Sequence, residues 1–148
     1  MGKRGTQLSA AVLLVAAVPV AVWGLMGQQN AQGLPPSELD HAFRPPDVSD
    51  GTAAVLGAVA VVLGVLGAAL LLRAGPHGGL DSRWWAVLGP LMVAGALAGV
   101  GLRVLTAGVI GANIGAGLVI LAGGPVIGGL LLWALVRGVW LARERSRR

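Results

Sequence analysis

Apolar residues in this chain fall into four long runs, at 8–26, 53–72, 84–105 and 115–136, separated by shorter polar segments. Each run is close to the roughly 20 residues that a helix needs to cross a hydrocarbon core of about 30 Å. No polar stripe recurs at helical spacing within the runs, so none reads as the amphipathic helix of a soluble domain. The pattern predicts an all-α integral membrane protein: a four-transmembrane-helix bundle forming one membrane domain over 1–148. Residues 106–114 turn the chain between spans three and four, where Gly108, Gly111 and Asn113 suit a reversal. An outer loop at 27–51, an inner loop at 73–83 and a tail at 137–148 complete the layout. Helices one and two, two and three, and three and four are expected as antiparallel neighbours.

Charge changes this picture by giving it a direction. Only 11% of residues are charged, against about 25% in an ordinary soluble domain. With both termini in the cytoplasm, the inner side receives Lys3, Arg4, Arg73, Arg83, Arg137, Arg143, Arg145, Arg147 and Arg148, and the outer side only Arg44 and Arg103. Positive residues collect on the cytoplasmic side of membrane proteins, so the N-terminus and C-terminus are both expected to be cytoplasmic. The same placement accounts for the net charge of +5. Attraction of the tail to anionic headgroups explains it without nucleic acid. Ten Arg against one Lys, with much Gly, Ala and Val, reads as the codon usage of a GC-rich bacterium. The expected location is therefore a bacterial cytoplasmic membrane, crossed several times. The first run exceeds the 7–15 apolar residues of a usual signal peptide and lacks a clear small-x-small site after it, so it reads as an uncleaved anchor. Trp23, Trp84, Trp85, Trp133 and Trp140 lie at span ends, where an indole N–H meets headgroups or water.

Small residues and prolines set expectations for packing. The pairs Gly75/Gly79, Gly95/Gly99, Gly111/Gly115 and Gly124/Gly128 fit GxxxG, which is about as many as this glycine content produces by chance. Ala60, Gly64 and Ala68 recur every four positions and predict a smooth stripe for close packing within the bundle. Pro19, Pro90 and Pro125 each remove a helical hydrogen bond and favour local kinks.

Candidate chemistry is confined to the faces. The chain has no cysteine, which excludes disulfides, thiolate metal sites and thiol redox chemistry. No span carries a carboxylate or a Ser/His or His/Glu constellation, and with two His, both outside the spans, a bis-His haem in the bundle is excluded. No catalytic residue, metal or cofactor is expected. Arg103 is the one candidate membrane charge. It lies about 27 Å along a helix from Trp85, so its head is expected at the outer interface, snorkelling toward water. The alternative is an inward-facing partner for an anion, with Asp47 or Asp50 as its mate. In the outer loop, Ser37 through Arg44 lie between two Pro-Pro pairs and predict a short helical turn capped by Ser37, with Leu39, Ala42 and Phe43 on one face. Glu38, Asp40, His41, Phe43, Arg44, Asp47 and Asp50 form the candidate partner-contact loop. Arg143, Arg145, Arg147 and Arg148 form the candidate tail for lipid or a cytosolic partner. The sequence-based expectation is a non-enzymatic accessory or scaffold subunit that binds a protein partner or its own copies; the alternative is an oligomeric pore, holin-like or transport component.

Overall fold

The computed structural model describes residues 3–31, 33, 35, 38–74 and 82–146. Ser37, His77, Arg147 and Arg148 lie outside the described residues. The chain is all-helical: α1 (Lys3–Met26), α2 (Asp50–Ala74), α3 (Trp85–Leu105), α4 (Ala112–Leu118) and α5 (Gly124–Ser146). Four helical stretches, Gly5–Met26, Asp50–Arg73, Ser82–Leu105 and Ala112–Glu144, are long and apolar enough to cross a membrane. The fold is therefore that of a multi-pass membrane protein. Valines and leucines such as Val55, Val62, Leu121 and Leu132 lie exposed along α2 and the last span, as they would in contact with lipid.

The helix ends extend beyond the apolar runs, because a helix needs hydrocarbon only where it crosses it. Ser49 caps α2: its Oγ accepts the Thr52 N–H at 3.2 Å, and Asp50 adds a carboxylate to the first turn. At the far end, the fourth span continues through the basic tail to Ser146. This span is not one uniform helix. Between α4 and α5 the backbone widens into a π-turn at Val119–Gly123, with one residue, Gly124, between it and Pro125. Proline lacks an N–H and crowds the carbonyl one turn back; a π-turn relieves both within a continuous helix. Pro19 and Pro90 lie inside uninterrupted α1 and α3.

The helices pack as an open row, not as a closed bundle. α1 packs on α2 along one face and on α3 along another, and α3 packs on α5. The expected neighbours two and three are thus separated by α1. Glycine placement explains this order. On α2, Ala53, Gly57, Ala60, Gly64, Gly67 and Leu71 form the face toward α1, a wider version of the expected Ala60–Gly64–Ala68 stripe. A Cβ on Gly24 would meet the Ala53 carbonyl and the Gly57 Cα, and one on Gly67 would lie 2.9 Å from the Ala10 carbonyl. The two backbones touch at both ends of their crossing, the approach that small residues permit in lipid. On α3, Gly95 and Gly99 seat the opposite face of α1: a Cβ on Gly99 would lie 2.7 Å from the Pro19 carbonyl. Among the described GxxxG pairs, Gly95/Gly99 seats another helix and a Cβ on Gly115 would meet the Val104 side chain, whereas one on Gly124 or Gly128 would meet open space; Gly75 and Gly79 lie outside the described residues.

Larger side chains close the end that carries the termini. Ala10, Leu14, Leu71 and Leu88 join α1, α2 and α3, and Val87, Ala134 and Leu141 join α3 to α5. There Arg83 also pairs with Glu144 at 3.1 Å, an exposed contact of about 0–1 kcal/mol. The fourth span touches the rest of the protein along one narrow line, and most of its surface is open.

Candidate functional site

Polar chemistry concentrates at the other end, where α3 stops. The last carbonyls of a helix have no partner within it, and here the loop after α1 supplies partners. Thr106 begins the cap, its N–H donating to the Leu102 carbonyl at 3.1 Å and its hydroxyl to the same oxygen at 2.8 Å. Phe43 N–H donates to the Leu105 carbonyl at 3.2 Å. The Thr106 carbonyl accepts from Gln28 Nε2 at 2.6 Å and from His41 Nδ1 at 3.1 Å. A carbonyl can only accept, so His41 carries a proton on Nδ1.

Gly108 is the fulcrum of this arrangement. Its N–H donates to the Gln29 carbonyl at 3.1 Å and to Asn30 Oδ1 at 3.1 Å, and its carbonyl accepts from Ala31 N–H at 2.8 Å. His41 pairs with the same residue from the other side. A Cβ here would lie 2.6 Å from His41 Cε1 and 2.7 Å from Asn30 Oδ1, so only glycine fits the cap in this form. Three residues on, Gly111 takes a left-handed φ of 80° and turns the chain into α4.

Arg103 lies directly beneath this cap. Its side chain is 2% exposed. It does not snorkel to the surface as its position in the span suggested; it turns inward, toward the end of α1. Nε donates to the Trp23 carbonyl at 2.6 Å and Nη1 to Gln28 Oε1 at 2.8 Å. The guanidinium carbon lies 4.5 Å from the centre of the Trp23 ring, a cation–π contact. The reason for the inward turn is electrostatic. Trp23 lies in the last turn of α1 and Arg103 in the last turn of α3, so two helix C-termini, each carrying about half a negative charge, face one cation. Gln28 has a fixed orientation as well: its oxygen meets the guanidinium and its nitrogen the Thr106 carbonyl. No carboxylate lies within ion-pair distance of Arg103 among the described residues. Arg103 Nη2 and Trp23 Nε1 are both buried without a hydrogen-bond partner. Trp23 therefore packs and stacks on the arginine here, its ring N–H turned away from the surface.

Comparison with protein-family models, curated proteins and solved structures finds no match. The site is therefore read from its own geometry.

Of the candidate loop residues, the structure draws in one. His41 is half-buried and bonded to α3, whereas Glu38, Asp40, Phe43, Arg44, Asp47 and Asp50 are exposed. Of the helical turn expected over 37–44, Glu38 lies in a 3-10 turn and residues 39–44 are not helical. Glu38 N–H closes a turn onto the Pro35 carbonyl at 2.9 Å, and the backbone around His41 and Phe43 is then used in pairing with the end of α3. Leu39, Ala42 and Phe43 consequently share no helical face. Among the described residues, no three His, Asp or Glu side chains converge on a position that could hold a metal ion. At the opposite end, Arg143 is exposed, Arg145 belongs to α5, and Arg137 stacks 4.4 Å above Trp140.

Trp23, Gln28, Asn30, Thr106 and Gly108 have central roles in the cap that sequence reasoning did not assign. Their spacing carries no signal, since the bonding partners lie 75–80 residues apart for Arg103 and 78 for Gln28 and Asn30. The usable hint was local: amide side chains directly after one span, and a glycine directly after another.

Proposed function

We propose that this protein is a non-enzymatic accessory or scaffold subunit of a bacterial cytoplasmic membrane, with both termini cytoplasmic. One observation carries the reading. The loop after α1 is fixed to the end of α3 through backbone bonds and through Gln28, Asn30 and His41, while Glu38, Asp40, Phe43, Arg44, Asp47 and Asp50 remain exposed. Up to Phe43 the loop is held in this way and presents its side chains with little ordering entropy left to lose on binding, which favours a docking surface. Four acids and one arginine around an exposed phenylalanine suit an extracytoplasmic protein partner with a basic rim and an apolar pocket. The Arg-rich tail suits anionic headgroups or a cytosolic partner. The exposed faces of α2 and α5 carry mainly Val, Leu, Ile and Trp, which gives a pore little polar lining.

A photo-crosslinking residue placed at Phe43 in intact cells tests this. Discrete crosslinked species from position 43, absent when the same residue replaces lipid-facing Val62, are expected. Recovery of free monomer alone from position 43 would overturn the proposal.

A further inference from the structure

A crevice of about 400 Å³ lies between α1 and α3 at the capped end. Pro19, Val20 and Trp23 form one wall, Ala98, Gly99 and Leu102 the other, and Pro46 of the loop the roof. Its size falls in the range of small-ligand pockets, about 300–1,000 Å³. Val20, Ala98 and Leu102 are exposed, so the crevice opens sideways, at the level where a bilayer would place hydrocarbon. An apolar side groove alone would hold any acyl chain in passing.

Its inner wall distinguishes it. Trp23 is shared between the crevice and the cation–π contact with Arg103. These same two residues hold the buried donors without partners, Trp23 Nε1 and Arg103 Nη2. The ends of α1 and α3 offset part of the arginine charge, but the Trp23 carbonyl and Gln28 Oε1 supply acceptors to only two of its nitrogens. A buried N–H left unmet is costly, and more so when charged. A guanidinium donor left unmet beside an apolar groove suits an anionic lipid head, because charge-assisted hydrogen bonds to phosphate are strong. Arg103 does not itself line the crevice and both donors are closed off from solvent, so a headgroup reaches them only where the loop side parts. Between Phe43 and Ser49, the described backbone bonds only within itself, through Val48 N–H to the Pro46 carbonyl at 2.8 Å.

We propose that the crevice and the Arg103–Trp23 pair form one binding site for an anionic phospholipid-like molecule. An acyl chain lies along Val20, Ala98 and Leu102. The phosphate enters beneath the Pro46 segment and accepts hydrogen bonds from Arg103 Nη2 and Trp23 Nε1. The site is separate from the exposed loop face and does not depend on what that face binds.

Native mass spectrometry of the full chain in mild detergent tests this, with three probes: phosphatidylglycerol, diacylglycerol with the same acyl chains, and inorganic phosphate. One phosphatidylglycerol should bind at least tenfold more tightly than diacylglycerol, with phosphate alone unbound at the same concentration. Arg103→Gln should bring the two lipids to equal affinity. Ala98→Phe, which fills the crevice from an exposed position, should weaken phosphatidylglycerol at least tenfold and keeps the test decisive if Arg103→Gln fails to fold. Equal binding of both lipids to the unaltered protein, binding of inorganic phosphate as tight as that of the lipid, or unchanged phosphatidylglycerol binding in Ala98→Phe would each overturn the proposal.

Discussion

Replacing Gly108 with alanine isolates the contribution of the cap. The added methyl would lie 2.6 Å from His41 Cε1 and 2.7 Å from Asn30 Oδ1, both ends of side chains that can swing aside. The backbone bonds of Gly108 to Gln29 and Ala31 can then persist. What is lost is the His41 bond to the Thr106 carbonyl and the Asn30 bond to the Gly108 N–H. Two part-buried hydrogen bonds contribute about 1–3 kcal/mol together, so local opening of the loop should become about 5- to 150-fold more frequent. Hydrogen exchange in nanodiscs reads this directly, because local opening sets the protection of loop amides. The Phe43 amide, bonded to Leu105, should lose protection by that factor while amides within α1 and α2 keep theirs. Gly117→Ala, where a Cβ meets open space, serves as a control with no loss in the loop. Unchanged exchange at Phe43 in Gly108→Ala, or equal loss throughout α1 and α2, would refute the reasoning.

Two further outcomes follow from the packing and the charge distribution. Gly24→Ala forces a methyl against the α2 backbone, whereas a Cβ at Gly64 lies an ordinary 3.5 Å from the Ala17 methyl; unfolding in SDS should show a loss of about 1–3 kcal/mol for the first and little change for Gly64→Ala. Because the chain has no cysteine, single replacements report orientation cleanly: Arg44→Cys should react with an impermeant maleimide on intact cells, and Arg143→Cys only after the membrane is opened.

The four spans were legible in the sequence because the thickness of hydrocarbon imposes a length on apolar runs that no other element needs. Their ends were less so. Ser49 starts α2 before its apolar residues begin, and Arg137, Arg143 and Arg145 continue α5 because a helix in water tolerates charge. The row of helices was hidden for another reason. Glycine is so frequent that Gly57 and Gly67, which meet another backbone, look the same in sequence as Gly124 and Gly128, which meet nothing. The inward turn of Arg103 depends on a carbonyl freed by the end of α1, and a main-chain acceptor leaves no residue signature. The exposed acids of the loop were readable as polar side chains; the backbone that holds them in place was not.

The row of helices also implies an order of manufacture. As the chain emerges, α1 enters the membrane first, and α2 arrives to find its one partner already present. α3 then takes the free side of α1, and the last span settles against α3. No newcomer has to displace an earlier contact, so each helix can stay where it first lands. The loop after α1 must wait longest for its anchor, since Thr106 and Gly108 are made some 80 residues after Gln28. Closure of that loop therefore marks the moment when the third helix has been delivered and correctly seated.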